Sequence, residues 1–246
     1  MRVFGGHQPH FLPGIEYFAR IDACDAWVFS DDVQYAAKDW QNRNRIQAPF
    51  GHTMLTVPVG GPSTETIAEK RLSQPRKLYK LWMSIVQVYR KSPYFKDIEW
   101  LEAVFKKEHV HLLGLNMEII YGFLEYLQIS TEVASARTLA GDFSGGPSEK
   151  IAKQAAHFKC DVYACGAGAA SYLKADPFVE RSIQIRNFVW KAPTYWQVWK
   201  GCGMVTNLSI VDLVANEGPG SIEILRENMK VGEGEWKPLS ADVERL

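Results

Sequence analysis

The first thirty residues restrict the fold more than any other stretch. A short strand over residues 1–6, ended by Gly5 and Gly6, precedes a segment of helical spacing from Ile15 to Ala23. The run "DAWVFSDD" follows, four apolar residues held between acids, and reads as a buried strand. Strand, helix and strand in that order form a βαβ unit, which builds parallel sheets with right-handed crossovers. The chain is therefore expected to be α/β, a Rossmann-like parallel sheet.

Later segments extend that sheet and interrupt it. "NRIQAPFGHTMLTVPV" reads as a hairpin with arms at Asn44 to Gln47 and Thr53 to Val59. From Pro75 to Ile129 the spacing is helical, with breaks near Ser92-Pro93 and Gly114, so a helical insertion is expected there. "TEVASA", "CDVYACG" and "SIQIRNFVW" restore strand character, with a helix from Ser148 to Phe158 between the first two. "LSIVDLVAN" is an apolar helix closed by Gly218. The organisation expected is an N-terminal βαβ unit with a hairpin (1–74), a helical insertion (75–129), the C-terminal half of the α/β domain (130–230) and a loose tail (231–246).

Composition narrows the partners. Lys plus Arg and Asp plus Glu are 28 each in 246 residues, and a balanced charge argues against duplex nucleic acid, which calls for a basic face. The four cysteines form no C-x-x-C pair and no apolar run is long enough to span a membrane, so a reduced cytoplasmic compartment is expected. A homodimer stays open.

Four stretches carry candidate chemistry. His7-Gln8-Pro9-His10 stands at the carboxyl end of the first strand, where open α/β sheets bind ligands. Two histidines without a nearby third ligand make an incomplete zinc site, so no metal site is expected. Asp31 and Asp32 end the second strand and point to opposite sides of extended backbone, so one of them faces the ligand, with Gln34 adding a donor and acceptor. Such a carboxylate can orient a ribose, bind Mg²⁺ or act as a base. In Trp40-Gln41-Asn42-Arg43-Asn44-Arg45, Arg43 and Arg45 alternate with Asn42 and Asn44, which suits an arginine fork on an anion. Arg43, nearer the second strand, is expected at the centre of the site, and Arg45 at its rim or buttressing the hairpin. Gly166 and Gly168, with Tyr172, supply a small-residue loop between strand and helix, a candidate pocket wall. Tyr195 and Gln197 are lesser binding candidates, and Asp212, within an apolar helix, needs a partner if buried. His109 and His111 read as a surface pair.

"HQPHFLPGIEYFARI", "DAWVFSDDVQY", "WQNRNRIQ" and "TVPV", with "YACGAGAASYL", "YWQ" and "LSIVDLVANEG" further on, resemble the WbqC-like family over nearly the whole chain. Two departures are Gly14, where the family commonly has Trp, and His10, where Asn or Gln is common; His7 is thus the firmer shared group. Family members are often encoded among genes for O-antigen and other surface polysaccharides. More distantly, the strand, histidine turn and following strand resemble the opening of pantothenate synthetase, an HxGH nucleotidyltransferase that activates a carboxylate as an acyl-adenylate and passes it to an amine. The lysine signature of that superfamily is not recognisable here.

These resemblances imply a cytoplasmic enzyme forming an amide on an amino sugar, nucleotide-linked or a related metabolite. His7 would act as a general base at its ordinary pKa or as a donor to phosphate, Asp31 or Asp32 would position the acceptor, Arg43 and Arg45 would hold an anionic group, and Gln8, His10, Trp40, Asn42 and Asn44 would bind substrate. Free acid with ATP and Mg²⁺, acyl-CoA and aminoacyl-tRNA all stay open as donors, so tRNA stays open as a partner. The alternatives are a nucleotidyltransferase and a non-catalytic sugar-nucleotide-binding protein of an assembly complex.

Overall fold

The first strand runs through its glycines. In the computed structural model, which describes residues 1–233, β1 spans Val3–His7. A Cβ on Gly5 would meet the Trp27 ring at 2.7 Å and the Cys24 sulfur at 2.8 Å. Glycine here ends nothing; it lets the indole of the neighbouring strand lie against bare backbone.

Helix α1 (Ile15–Asp22) leads to β2 (Ala26–Phe29), parallel to β1 with His7 opposite Phe29. The chain then leaves the sheet. It forms the hairpin β3 (Arg43–Ala48) and β4 (Gly51–Thr56), the small ladder β5 (Val59–Gly60) and β6 (Arg71–Leu72), and helices α2 (Leu78–Tyr89), α3 (Leu101–Lys106) and α4 (Leu112–Tyr126). Strand β7 (Glu132–Ser135) returns beside β2, and α5 (Pro147–His157) crosses to β8 (Val162–Cys165) on the other side of β1. The short α6 (Asp176–Val179) precedes β9 (Gln184–Trp190); α7 (Ile210–Glu217), α8 (Ser221–Asn228) and the antiparallel edge strand β10 (Met229–Val231) complete the described chain.

The six strands lie in the order β10-β9-β8-β1-β2-β7. In order of appearance that is the 3-2-1-4-5-6 arrangement of doubly wound sheets, whose strand order reverses between β1 and β8. Strand residues alternate between two cores. Val3, Trp27, Phe29, Val162 and Ala164 pack with α1, α7 and the inserted helices. Phe4, Ala26, Val28, Tyr163 and Cys165 pack on the opposite face with Ala152 and Ala155 of α5 and Phe178 of α6.

The inserted helices dock on the first core through edge-on contacts of Phe105 with Phe11 and of Phe123 with Phe18. Their second break is not at Gly114, which lies inside α4; helix-favouring burial of Leu112, Leu115 and Ile119 outweighs the roughly 1 kcal/mol a glycine costs a helix. The chain is non-helical before it, where the Leu72 N–H donates to the Val110 carbonyl and the Leu112 N–H to the Lys70 carbonyl. His109 is buried there, its Nε2 3.0 Å from the Val104 carbonyl, and is not a surface residue. Two helices, α7 and α8, occupy the C-terminal apolar stretch, parted by a 3-10 turn at Gly218–Gly220. Cys24, Cys160 and Cys165 are buried, and the Cys165 thiol lies 3.3 Å from Asn187 Oδ1. Among the described residues no helix is long and apolar enough to cross a membrane. From residue 234 onward the tail expected over 231–246 lies outside the described residues.

Candidate functional site

Strand β1 delivers His7 to the carboxyl edge, and the loop to α1 folds back over it. Buried amides fasten that loop. Asn44 Nδ2 donates to the Leu12 carbonyl at 2.8 Å and the Phe11 carbonyl at 3.3 Å, holding Leu12 at φ +43°. Such a left-handed backbone is costly for leucine and persists only where its surroundings hold it. Gln41 Nε2 donates to Gln8 Oε1 at 2.9 Å, and Asn116 Nδ2 of α4 donates to the Pro9 and Gln41 carbonyls. The Tyr17 hydroxyl of α1 donates to the Gln8 carbonyl at 3.0 Å.

The loop so held packs three rings together. His7 and His10 meet edge to face at 4.7 Å, with Tyr17 5.8 Å and 5.3 Å from them. Burial, reinforced by the Arg20 guanidinium, draws the His7 pKa down to about 4, and burial with His7 beside it draws His10 well below its ordinary value. The ordinary imidazole pKa expected from the sequence does not hold: both rings are neutral at physiological pH. His10 is buried, and its Nε2 has no hydrogen-bond partner.

Arg20 comes from the last turn of α1. It pairs with Glu16 one turn back, lies over the Phe188 ring at 5.6 Å and reaches Gly166, where a Cβ would stand 2.9 Å from its guanidinium. Gly166 thus admits a cation between the ends of β1 and β8.

Two chambers open at this point. The larger, of about 730 Å³, straddles the switch point between β1 and β8 and runs along α5 and the Gly166–Gly168 loop. The smaller, of about 370 Å³, lies toward α1 and β3, with Glu16, Asn44, Arg45, Trp190 and Tyr195 in its walls. His7, His10, Arg20 and Trp40 border both.

The other candidates divide. Arg45 lines the smaller chamber with its guanidinium 5.1 Å from the Trp40 ring centre. Arg43 lines neither chamber; it donates to the Lys38 carbonyl. This reverses the expected order of the two arginines, because β3 belongs to a separate hairpin and its register with β2 does not decide which arginine meets the cleft. Asp31 turns from the cleft: its carboxylate accepts from Ser135 Oγ at 2.6 Å and the Arg137 N–H at 3.2 Å, tying β2 to the end of β7. Asp32 pairs with Lys150, whose side chain borders the larger chamber. Gln34 is exposed and donates to the Ser63 carbonyl, and Asn42 donates to Val57 within the hairpin region; both stand outside the two chambers. Gln8, Gly166, Gly168 and the exposed Tyr172 line the larger chamber.

Tyr195 closes the smaller chamber and donates to Asp212 Oδ2 at 2.6 Å. Tyr89 donates to Oδ1 at 2.8 Å, and Gln197 to Oδ2 at 3.0 Å. Asp212 is buried, and burial raises its pKa to about 6 against the downward pull of those hydrogen bonds. Gln197 lies behind the chamber wall, buried in this network with Gln47.

Sequence reading missed Arg20, Glu16, Tyr17 and Lys150. The signal for the first was present: Glu16 and Arg20 are four apart on α1, on the helix that follows the histidine strand. Among the described residues no group of three or more His, Cys, Asp or Glu is placed to hold a metal.

Fold and site together define a Rossmann-like α/β protein with a divided cleft at the switch point of its sheet. The chain belongs to the WbqC-like protein family, whose model matches residues 8–224. It is similar to the "Uncharacterized protein Rv1507c" of Mycobacterium tuberculosis (strain ATCC 25618 / H37Rv), 30% identical over 224 residues that cover 89% of this chain and 95% of that one. No solved structure matches the chain significantly.

Proposed function

We propose that the protein is a two-substrate transferase or ligase that forms an amide, passing an acyl or aminoacyl group to an amino sugar or related metabolite in surface-polysaccharide biosynthesis. The observation that carries this reading is the shared wall: His7, His10, Arg20 and Trp40 border both chambers. Two bound molecules react fastest when their reacting atoms are held together, and here acid–base groups stand where two ligands would meet. The smaller chamber suits the acceptor. Trp40 and Trp190 bring aromatic surface for a sugar ring to its walls, and Glu16 and Arg45 offer partners for its hydroxyl and amine groups.

In this reading the amine nitrogen attacks the acyl carbonyl and a C–N bond forms. The carbonyl oxygen takes up negative charge beside Arg20, and the bond to the leaving group then breaks. The attacking nitrogen must shed a proton, and once bonded to the tetrahedral carbon it is far more acidic than a free amine. A neutral imidazole with a pKa of about 4 can accept that proton, and negative charge growing beside it raises its basicity during the step. The polysaccharide setting rests on the family resemblance.

The test offers acyl-CoA, free acid with ATP and Mg²⁺, and aminoacyl-tRNA to the protein with nucleotide-linked amino sugars, and follows the acceptor by mass. Acylated acceptor is the expected product. His7→Ala should lower turnover by about a hundredfold while acceptor affinity changes less. Intact sugar-nucleotide binding with no product from any donor class would replace the transferase with a binding protein.

A further inference from the structure

We propose that the larger chamber is a nucleoside-phosphate site. This deepens the reading above by naming the ligand class of one chamber. One face of α5 looks into it: Pro147, Lys150, Ile151 and Gln154 all line the cleft. The helix starts there at Gly146 with no side-chain cap, leaving its first backbone N–H groups to an outside acceptor, and one turn in Lys150 brings an ammonium group that it shares with Asp32. Glu149, the acid of that first turn, is engaged by Arg181 at 2.5 Å. Across the cleft, Gly168 stands in open space, so a ligand can approach its backbone.

Gln154 supplies the independent sign of a ligand. It is 3% exposed, its Nε2 has no hydrogen-bond partner, and it lines the same chamber. A buried amide donor left unmatched is unfavourable, and an acceptor on a ligand removes that cost. The seven steps from Pro147 to Gln154 rise by about 10 Å along the helix, the reach from phosphate to the far edge of the base in a nucleotide. The ligand therefore carries phosphate at the start of α5 and, at its other end, a ring nitrogen, carbonyl or sugar hydroxyl that accepts from Gln154. The nucleotide belongs either to the activated donor or to the sugar-nucleotide acceptor.

Calorimetric titration of the full chain with AMP, UDP, their nucleosides and pyrophosphate tests this without any turnover. A nucleotide should bind at least about tenfold tighter than its nucleoside. Lys150→Met should weaken the nucleotide and pyrophosphate alike, by about tenfold or more. Gln154→Leu should weaken the nucleotide by about tenfold and leave pyrophosphate unchanged. Should that variant unfold in thermal melts, Gln154→Met keeps the length and removes the donor. Preference for AMP assigns the site to the donor, and preference for UDP to the acceptor. Failure of both nucleotides to bind below about 1 mM, or binding indifferent to both substitutions, overturns the proposal. Nucleotide binding without amide formation would leave this site standing and remove only the transferase.

Discussion

Acid should loosen the protein through His7, and the size of the effect follows from its surroundings. His7 has a pKa of about 4 where an ordinary imidazole has 6.5. The unfolded chain therefore binds a proton that the folded chain refuses between those values, and stability falls as pH drops through 6.5 toward 4. At pH 4.5 the loss from this residue alone is about 2–3 kcal/mol. His10 adds to it in the same direction. Asp212 opposes both: its pKa is raised from 3.8 to about 6, so its contribution is present at low pH and is lost as pH rises through 6. Comparison with a His7→Asn variant isolates the one term. Urea unfolding followed by circular dichroism at pH 7 and pH 4.5 should show the wild type losing about 2–3 kcal/mol more than the variant over that interval. Equal losses in the two proteins would mean that His7 titrates as an exposed imidazole, and the description of a desolvated junction would be wrong.

Arg45→Lys should weaken amino-sugar binding by about 1–3 kcal/mol, because a planar fork in the smaller chamber becomes a point charge, while Arg43→Lys should leave it nearly unchanged in the same titration. Gly5→Ala should lower stability by about 1–3 kcal/mol in denaturant melts, since its Cβ would sit 2.7 Å from the Trp27 ring; an unchanged midpoint would contradict that packing. Tyr195→Phe removes a 2.6 Å donor to Asp212 and should push that carboxyl further above its present value of about 6, visible by carbon NMR of the side chain; a fall would contradict the assigned network.

What was legible in the sequence was whatever local pattern encodes. Apolar runs such as "AWVF" and "VYAC" became strands buried on both faces, and His7 followed to the carboxyl edge because strand direction determines it. Asp212 was recognisable as a carboxylate needing partners, because an acid among Ile210, Val211, Leu213 and Val214 has no other way to be buried. The partners were not: Tyr89 lies 123 residues away and belongs to the inserted helices. Adjacent Asp31 and Asp32 were separable only in principle, since which one turns inward depends on Ser135 and Lys150 arriving from distant elements. Gly5 read as a strand end because its function is a close approach by Trp27, a fact of packing between strands. Nothing in the local pattern sets Lys150 and Gln154 apart from other polar positions of an amphipathic helix; the place of α5 beside the switch point does.

On the proposed function, two ligands meet at the wall formed by His7, His10 and Arg20. Nitrogen NMR of the His7 and His10 imidazoles tests it most directly, during titration with a nucleotide (AMP or UDP, whichever binds), with an amino sugar, and with both. Each ligand alone should shift both imidazoles, since both rings border both chambers. The second ligand should still bind when the first is saturating, with a further shift at His10, whose Nε2 is without a partner. Strict competition between the two ligands, or imidazoles that respond to neither, would contradict the two-chamber account.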